Sequence, residues 1–142
     1  MGSVNSCQLS AVRQDVEVAT LARDMESLVV FRRAYALSLD VHRASLLFPK
    51  VEQFSGIADQ LRRASKSVCA LLVEGAGRQG TSDVEFRRYV RMALGSCEEA
   101  KLWCRYAEDL GYVAPEVAET WRSEHAEIGR MLNGLVKRLS DS

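Results

Sequence analysis

Proline is nearly missing from this chain of 142 residues. Only Pro49 and Pro115 occur, so little interrupts long helices, since an internal proline removes a backbone donor and clashes with the preceding turn. Net charge is missing altogether: nineteen Lys and Arg balance nineteen Asp and Glu. That excludes a global field drawing the chain to nucleic acid or membrane, and leaves such a role to local patches. No apolar run reaches the ~18 residues a membrane span needs, and no basic segment leads into an apolar secretory core at the N-terminus. Histidine is scarce. His42 and His125 stand alone, and neither follows a glutamate by three, so the Glu-x-x-His pairs of a di-iron bundle are lacking. Both read as surface or interface histidines. The four cysteines, Cys7, Cys69, Cys97 and Cys104, form no CxxC pair. They read as free core thiols suited to a reducing cytoplasm. Neither strand-like alternation nor an internal repeat is found.

What is present is helical periodicity. Residues 1–27 carry no convincing apolar stripe and read as a mobile extension, with room for a helical turn or two around Val12 to Ala22. Their opening, MGSVNSC, has the Gly2 and Ser6 spacing of an acylation signal, a pattern short enough to arise by chance or as a cloning remnant. The first strong helix is predicted over Val30 to Leu47, with Phe31, Ala34, Leu37 and Val41 on one face. Phe48-Pro49 stops it, because the residue before proline avoids the helical region. A second runs from about Ile57 to Glu74, its seam at Ile57, Leu61, Ala64, Val68, Leu71 and Gly75 alternating by four and three. Gly75 is placed just past its C-cap, where a left-handed backbone costs least.

The third helix opens on Ser82-Asp83-Val84-Glu85, a capping box, and continues to about Leu110. Its seam of Phe86, Val90, Ala93, Cys97, Ala100, Cys104 and Ala107 is made largely of small residues, which let a neighbour come close. A second stripe, Tyr89, Ser96, Trp103, Tyr106 and Leu110, lies beside it. One stripe suffices for a monomeric bundle, so the extra width points to a further contact surface. The fourth helix starts at Pro115, with Val117, Trp121, Ile128, Leu132, Leu135 and Leu139 as its stripe and Lys137 and Arg138 complementing the dipole of its last turn.

Catalytic constellations are not legible. No serine or cysteine stands in a recognisable nucleophile context, and a thiol on an apolar seam stays protonated. The loop GAGRQGTSD invites a phosphate-binding reading, yet no strand precedes it and no Gly-Lys-Ser/Thr closes it; it reads as a helix cap and turn, with weak anion binding left open near Arg78. The charge is unevenly placed. Between Gln60 and Ala93, seven cations (Arg62, Arg63, Lys66, Arg78, Arg87, Arg88 and Arg91) face three acids, and from Glu108 onward seven acids face four cations. Such asymmetry suits head-to-tail subunit contacts, a basic track for nucleic-acid phosphates, or an ordinary solvated face.

Several of these pieces recur together in one family. Phe48-Pro49-Lys50, Gln60-Leu61-Arg62-Arg63-Ala64, Ser67, Glu74-Gly75, Gly77-Arg78, Glu85-Phe86, Ala93-Leu94-Gly95-Ser96, Glu99 and Leu110-Gly111-Tyr112 stand in the order and spacing of the four-helix-bundle proteins first met as products of intervening sequences in bacterial 23S rRNA genes. From about Leu28 to Leu139 the chain resembles that family. The resemblance implies a homopentameric ring of bundles with no known catalytic activity. A related branch, the accessory proteins of diversity-generating retroelements, comprises strongly basic pentamers that partner a reverse transcriptase and bind nucleic acid; this chain departs from it in being neutral.

The expectation is thus an all-α, up-down-up-down four-helix bundle over residues 28–142 that assembles as a ring-like homo-oligomer. It is expected to be cytoplasmic and non-enzymatic, with no cofactor, metal, membrane or small-molecule substrate. Its role would be that of a binding or scaffold module, the alternative being an RNA- or DNA-binding accessory protein that uses the basic cluster on helices 2 and 3.

Overall fold

The computed structural model describes residues 22–77 and 82–140, within which four long helices and no strand occur: α1 (Met25–Ser45), α2 (Ile57–Gly77), α3 (Asp83–Asp109) and α4 (Pro115–Ser140). The expected mobility of the N-terminal extension falls on residues 1–21, outside the described ones. Helix α1 begins five residues before the expected Val30, because Asp24 caps it. The Asp24 carboxylate accepts from the Ser27 amide at 2.8 Å, and Ser27 Oγ accepts from the Asp24 amide at 3.1 Å. Ser27 and Leu28 are buried in consequence.

Neighbouring helices pack in the order α1, α2, α3, α4, and α4 closes back on α1. Each pair is antiparallel. Ser67 meets Ser96 while Glu74 meets Tyr89 across α2 and α3; Arg122 meets Glu108 while Arg87 meets Ser140 across α3 and α4. The topology is up-down-up-down, as the short connections require. The core holds most of the expected seams, with Phe86, Leu61, Ile128, Leu132 and Leu135 fully buried and Ala93, Cys97, Ala100, Cys104 and Ala107 lining the inner face of α3; Ile57 and Leu71 of the expected α2 seam are only partly buried, and Leu72 is buried. Val117, expected in the α4 stripe, is exposed, and Ala118 is buried in its place.

The left-handed cap expected at Gly75 is not found there. Gly75 lies inside α2, and the described glycine with a left-handed backbone is Gly111, φ +76°. There the Tyr112 amide donates to the Ala107 carbonyl at 2.8 Å and the Gly111 amide to Glu108 at 2.9 Å, the two bonds of a Schellman cap. Gly75 keeps its place on the α2 seam and is a contact point: a Cβ built on it would lie 2.8 Å from Tyr89 Cβ. The EGAGR segment is therefore the last helical turn of α2 as far as Gly77. At the head of α3, Ser82 Oγ accepts from the Glu85 amide at 3.3 Å, while the Glu85 carboxylate pairs with Arg88.

Candidate functional site

The seven cations singled out by sequence serve different ends. Arg62 holds the α1–α2 connection: its guanidinium donates to Ser45 Oγ at 2.8 Å, to Gln53 Oε1 at 3.1 Å and to the Gln53 carbonyl at 3.0 Å. Gln53 in turn donates to the Ser45 and Phe48 carbonyls. Three acceptors at this connection thus converge on the Arg62 guanidinium, which ties it to structure. Arg63 is exposed and 3.4 Å from Asp59, one turn away. Lys66 Nζ donates to His42 Nδ1 at 3.0 Å across α1 and α2. Arg87 reaches Ser140 of α4 at 3.2 Å, Arg88 pairs with Glu85 and stacks over Tyr89, and Arg91 is exposed. Arg78 lies outside the described residues.

Two groups result. Because Tyr89 stands level with Glu74 and Ser96 with Ser67, residues 87–91 sit ~9–15 Å along the axis from Lys66, at 1.5 Å per residue. Arg87 turns toward α4, whereas Lys66 turns toward α1. The structure adds to the α2 group two α1 residues that the sequence reading passed over, His42 and Arg43. Partial burial, then the charges of Lys66, Arg62 and Arg43, hold the His42 imidazole below its usual range. Their signal lay in α1's own spacing, since His42 follows the core residue Val41 and so borders the α2 seam.

Apolar exposure is also patterned. The second stripe of α3 divides: Tyr89 is buried and Ser96 bonds Ser67 of α2, so this part is closed within the chain. Tyr106 and Leu110 remain open, joined on the outer face by Met92 and Leu102, all four about half-exposed. At the same end of the bundle, where Phe48 and Glu52 meet Tyr112, Leu47, Val51 and Phe54 around the 3-10 turn Lys50–Glu52 are 89%, 79% and 87% exposed. Sequence reasoning missed this tip because its side chains follow no period.

The thiols of Cys69, Cys97 and Cys104 are each pushed up to about 12 by burial, so none supplies a thiolate at neutral pH. His125, read as a surface or interface residue, is buried on the inner face of α4. Its Nδ1–H donates to the Trp121 carbonyl at 2.9 Å, and burial pulls its imidazole down to about 4, so the ring is neutral. Among the described residues no group of three His, Cys, Asp or Glu could hold a metal ion, and no helix is long and apolar enough to cross a membrane.

Against this geometry the comparisons with known proteins agree. The family description "23S rRNA-intervening sequence protein" matches residues 26–134. A crystal structure of a protein of unknown function from the S23 ribosomal protein family of Bacteroides thetaiotaomicron superposes with a TM-score of 0.71 at 19% identity, covering 80% of this chain and 99% of that one. That likeness carries the fold. No curated protein matches.

Proposed function

This chain belongs to the 23S rRNA-intervening sequence protein family, and on that premise we propose that it acts without catalysis, as a homo-oligomeric helical-bundle scaffold or binding module. The observation that carries the proposal is the outer face of α3. Its inner face is closed by small residues, and its outer face still presents Met92, Leu102, Tyr106 and Leu110 to solvent. Burying a face of that kind against a second copy is the ordinary reason for its exposure. A closed five-fold ring is the assembly the family resemblance implies, and unpaired buried thiols suit the reducing cytoplasm in which it would work.

Light scattering at micromolar concentration should give a multiple of the 15.8 kDa chain mass. Leu102→Lys with Tyr106→Lys should give the monomer with helical content unchanged. A parent protein that is monomeric under these conditions overturns the reading.

A second reading is favoured by the gathering of His42, Arg43 and Lys66 on the α1–α2 face, with the exposed Arg63 one helical turn from Lys66: RNA or DNA phosphates would be held there. Binding should weaken with salt by ~0.7–0.9 logarithmic units per phosphate contacted. Arg63→Glu with Lys66→Glu should abolish it, and no binding near 50 mM salt removes this reading.

A further inference from the structure

Helices α1 and α2 leave an apolar groove of about 500 Å³, walled chiefly by Phe31, Tyr35, Ala70 and Val73. Two charges line it, Lys66 toward the α1–α2 connection and Glu74 toward the other end. The rings of Phe31 and Tyr35 stack 5.9 Å apart, and Tyr35 stays 41% exposed. Beyond Lys66 lies the α1–α2 connection, with Leu47 and Phe54 open to solvent. Along the bundle this side is thus acidic, apolar, basic and apolar again.

The outer face of α3 carries the matching order. Met92 stands three residues from Tyr89 and four from Ser96, both of which bond α2, so it borders the α2 side of that face. Arg88 precedes it by one turn, Glu99 follows by two, and Tyr106 and Leu110 come after. All five are exposed. Glu74 is level with Tyr89, and Ser67 with Ser96. At 1.5 Å per residue, Arg88 is therefore within ~2 Å of the height of Glu74, Met92 within ~3 Å of Ala70 and Val73, and Glu99 ~3 Å from Lys66. Tyr106 and Leu110 fall at the end where Tyr112 meets Phe48 and Glu52. A rotation about an axis parallel to the helices moves a copy sideways and keeps these heights. The two faces then meet in register with no axial rise, as a closed ring requires.

The other charges on these faces leave the match intact. Arg43 and Arg62 lie near His42 and Lys66 and add to the positive charge there, while Arg63 pairs with Asp59. At the Glu74 end, Arg23 pairs with Asp83. On α3, Glu98 pairs with Lys101 and Arg105 with Asp109, and Arg91, one turn from Arg87, lies on the α4 side. Arg88 already holds Glu85 at 3.3 Å. Glu99 has no ion-pair partner among the described residues, so its pairing with Lys66 is the contact that decides. Gly95, between Met92 and Glu99, would meet nothing within 4 Å through an added Cβ. Glycine inside an exposed helix costs stability, and its flat surface here lets a neighbour approach.

We propose that the outer face of α3 in one copy packs head to tail on the α1–α2 groove of the next, with Met92 over the groove and Glu99 against the next copy's Lys66. The contact rests on the homo-oligomeric reading and gives the α3 face its counterpart. Light scattering at about 50 mM salt, where charge is little screened, tests it on the parent, Lys66→Glu, Glu99→Lys and the double variant. Each single reversal sets like charges against each other at every interface, and should weaken assembly by about tenfold or more with helical content unchanged. The double variant restores opposite charges and should recover the parent's mass. Parental mass in either single variant overturns the contact and leaves the oligomer standing, its α3 face then meeting some other surface. Dissociation of both single variants without recovery in the double also overturns it. A monomeric parent overturns the oligomer itself, and the contact with it.

Discussion

The α2–α3 seam and the α1–α4 seam run along the same bundle and are built differently. Across the first, Gly75 lets Tyr89 and Phe86 approach the α2 backbone, a hypothetical Cβ lying 2.8 Å and 3.1 Å from their nearest atoms. Ser67 and Ser96 hydrogen-bond directly at 3.0 Å, and Ala64 and Ala93 are buried along it. Across the second, long charged side chains span a gap. Arg33 reaches Glu124, Arg138 reaches Asp24 and Glu26, and a groove of about 720 Å³ floored by Leu37 and Trp121 lies between the two helices. Small residues give contact through backbone proximity, so adding atoms is costly there. Long polar residues give contact through reach, and removing one leaves groups that water can satisfy.

The largest expected effect breaks the close seam. Gly75→Leu must displace Tyr89 or separate the helices, and should destabilise by about 3 kcal/mol or more; Gly75→Ala should cost about 1–3 kcal/mol. Gly134→Ala on α4 is the control, since its Cβ would meet nothing within 4 Å. Helix propensity alone should stabilise that variant by about 0.5–1 kcal/mol. Urea melts of the three variants measure the contrast. A Gly75→Ala protein as stable as Gly134→Ala would mean that the seam is loose.

How far the sequence could anticipate this differs from residue to residue. The small seam of α3 was legible because Ala93, Cys97, Ala100, Cys104 and Ala107 keep helical spacing, and the cap at Asp24 was not, because its partner Ser27 lay in a stretch without an apolar stripe. Gly75 was visible as unusual but misassigned. Near the expected end of a helix, a glycine reads as a left-handed cap, and only its apposition to Tyr89 shows otherwise. The basic cluster was legible in composition alone. Arg62 differs from Arg63 through Ser45 and Gln53, 17 and 9 residues away, and no local pattern carries that distinction.

His125 sharpens the comparison from within the core. Its spacing from Trp121 and Ile128 already matched the buried face of α4, and its polarity suggested the surface. A neutral buried imidazole titrates near 4, against 6.5 when exposed, so between those values the unfolded chain binds a proton that the folded one does not. Stability is complete above about pH 6.5 and is lost as pH falls toward 4, by at most about 3 kcal/mol from this group. His125→Asn keeps a donor for the Trp121 carbonyl and removes the titration. Denaturation midpoints at pH 7 and pH 4.5 should therefore differ less in the variant than in the parent; equal differences would show that carboxylates alone carry the acid sensitivity.

The smallest expected effect belongs to the open seam. Arg33 makes a two-pronged contact with Glu124, Nε to Oε2 at 3.0 Å and Nη2 to Oε1 at 2.5 Å, with Glu127 a further 3.9 Å partner. Paired geometry of this kind is the strong form of an Arg–carboxylate contact, yet both side chains keep roughly a third of their surface in water, 39% and 29%. Solvent and salt then screen most of the attraction, which puts the coupling near 0.5–1 kcal/mol. A double-mutant cycle of Arg33→Ala and Glu124→Ala, measured by urea denaturation at low and at 0.5 M salt, isolates that energy from the loss of the arginine's apolar stem. The coupling should shrink toward zero at high salt. A salt-independent coupling of about 2 kcal/mol or more would mean that the pair is desolvated, as it would be if a neighbouring copy covers this groove, and the α1–α4 face would then join the outer face of α3 as a surface of the assembly.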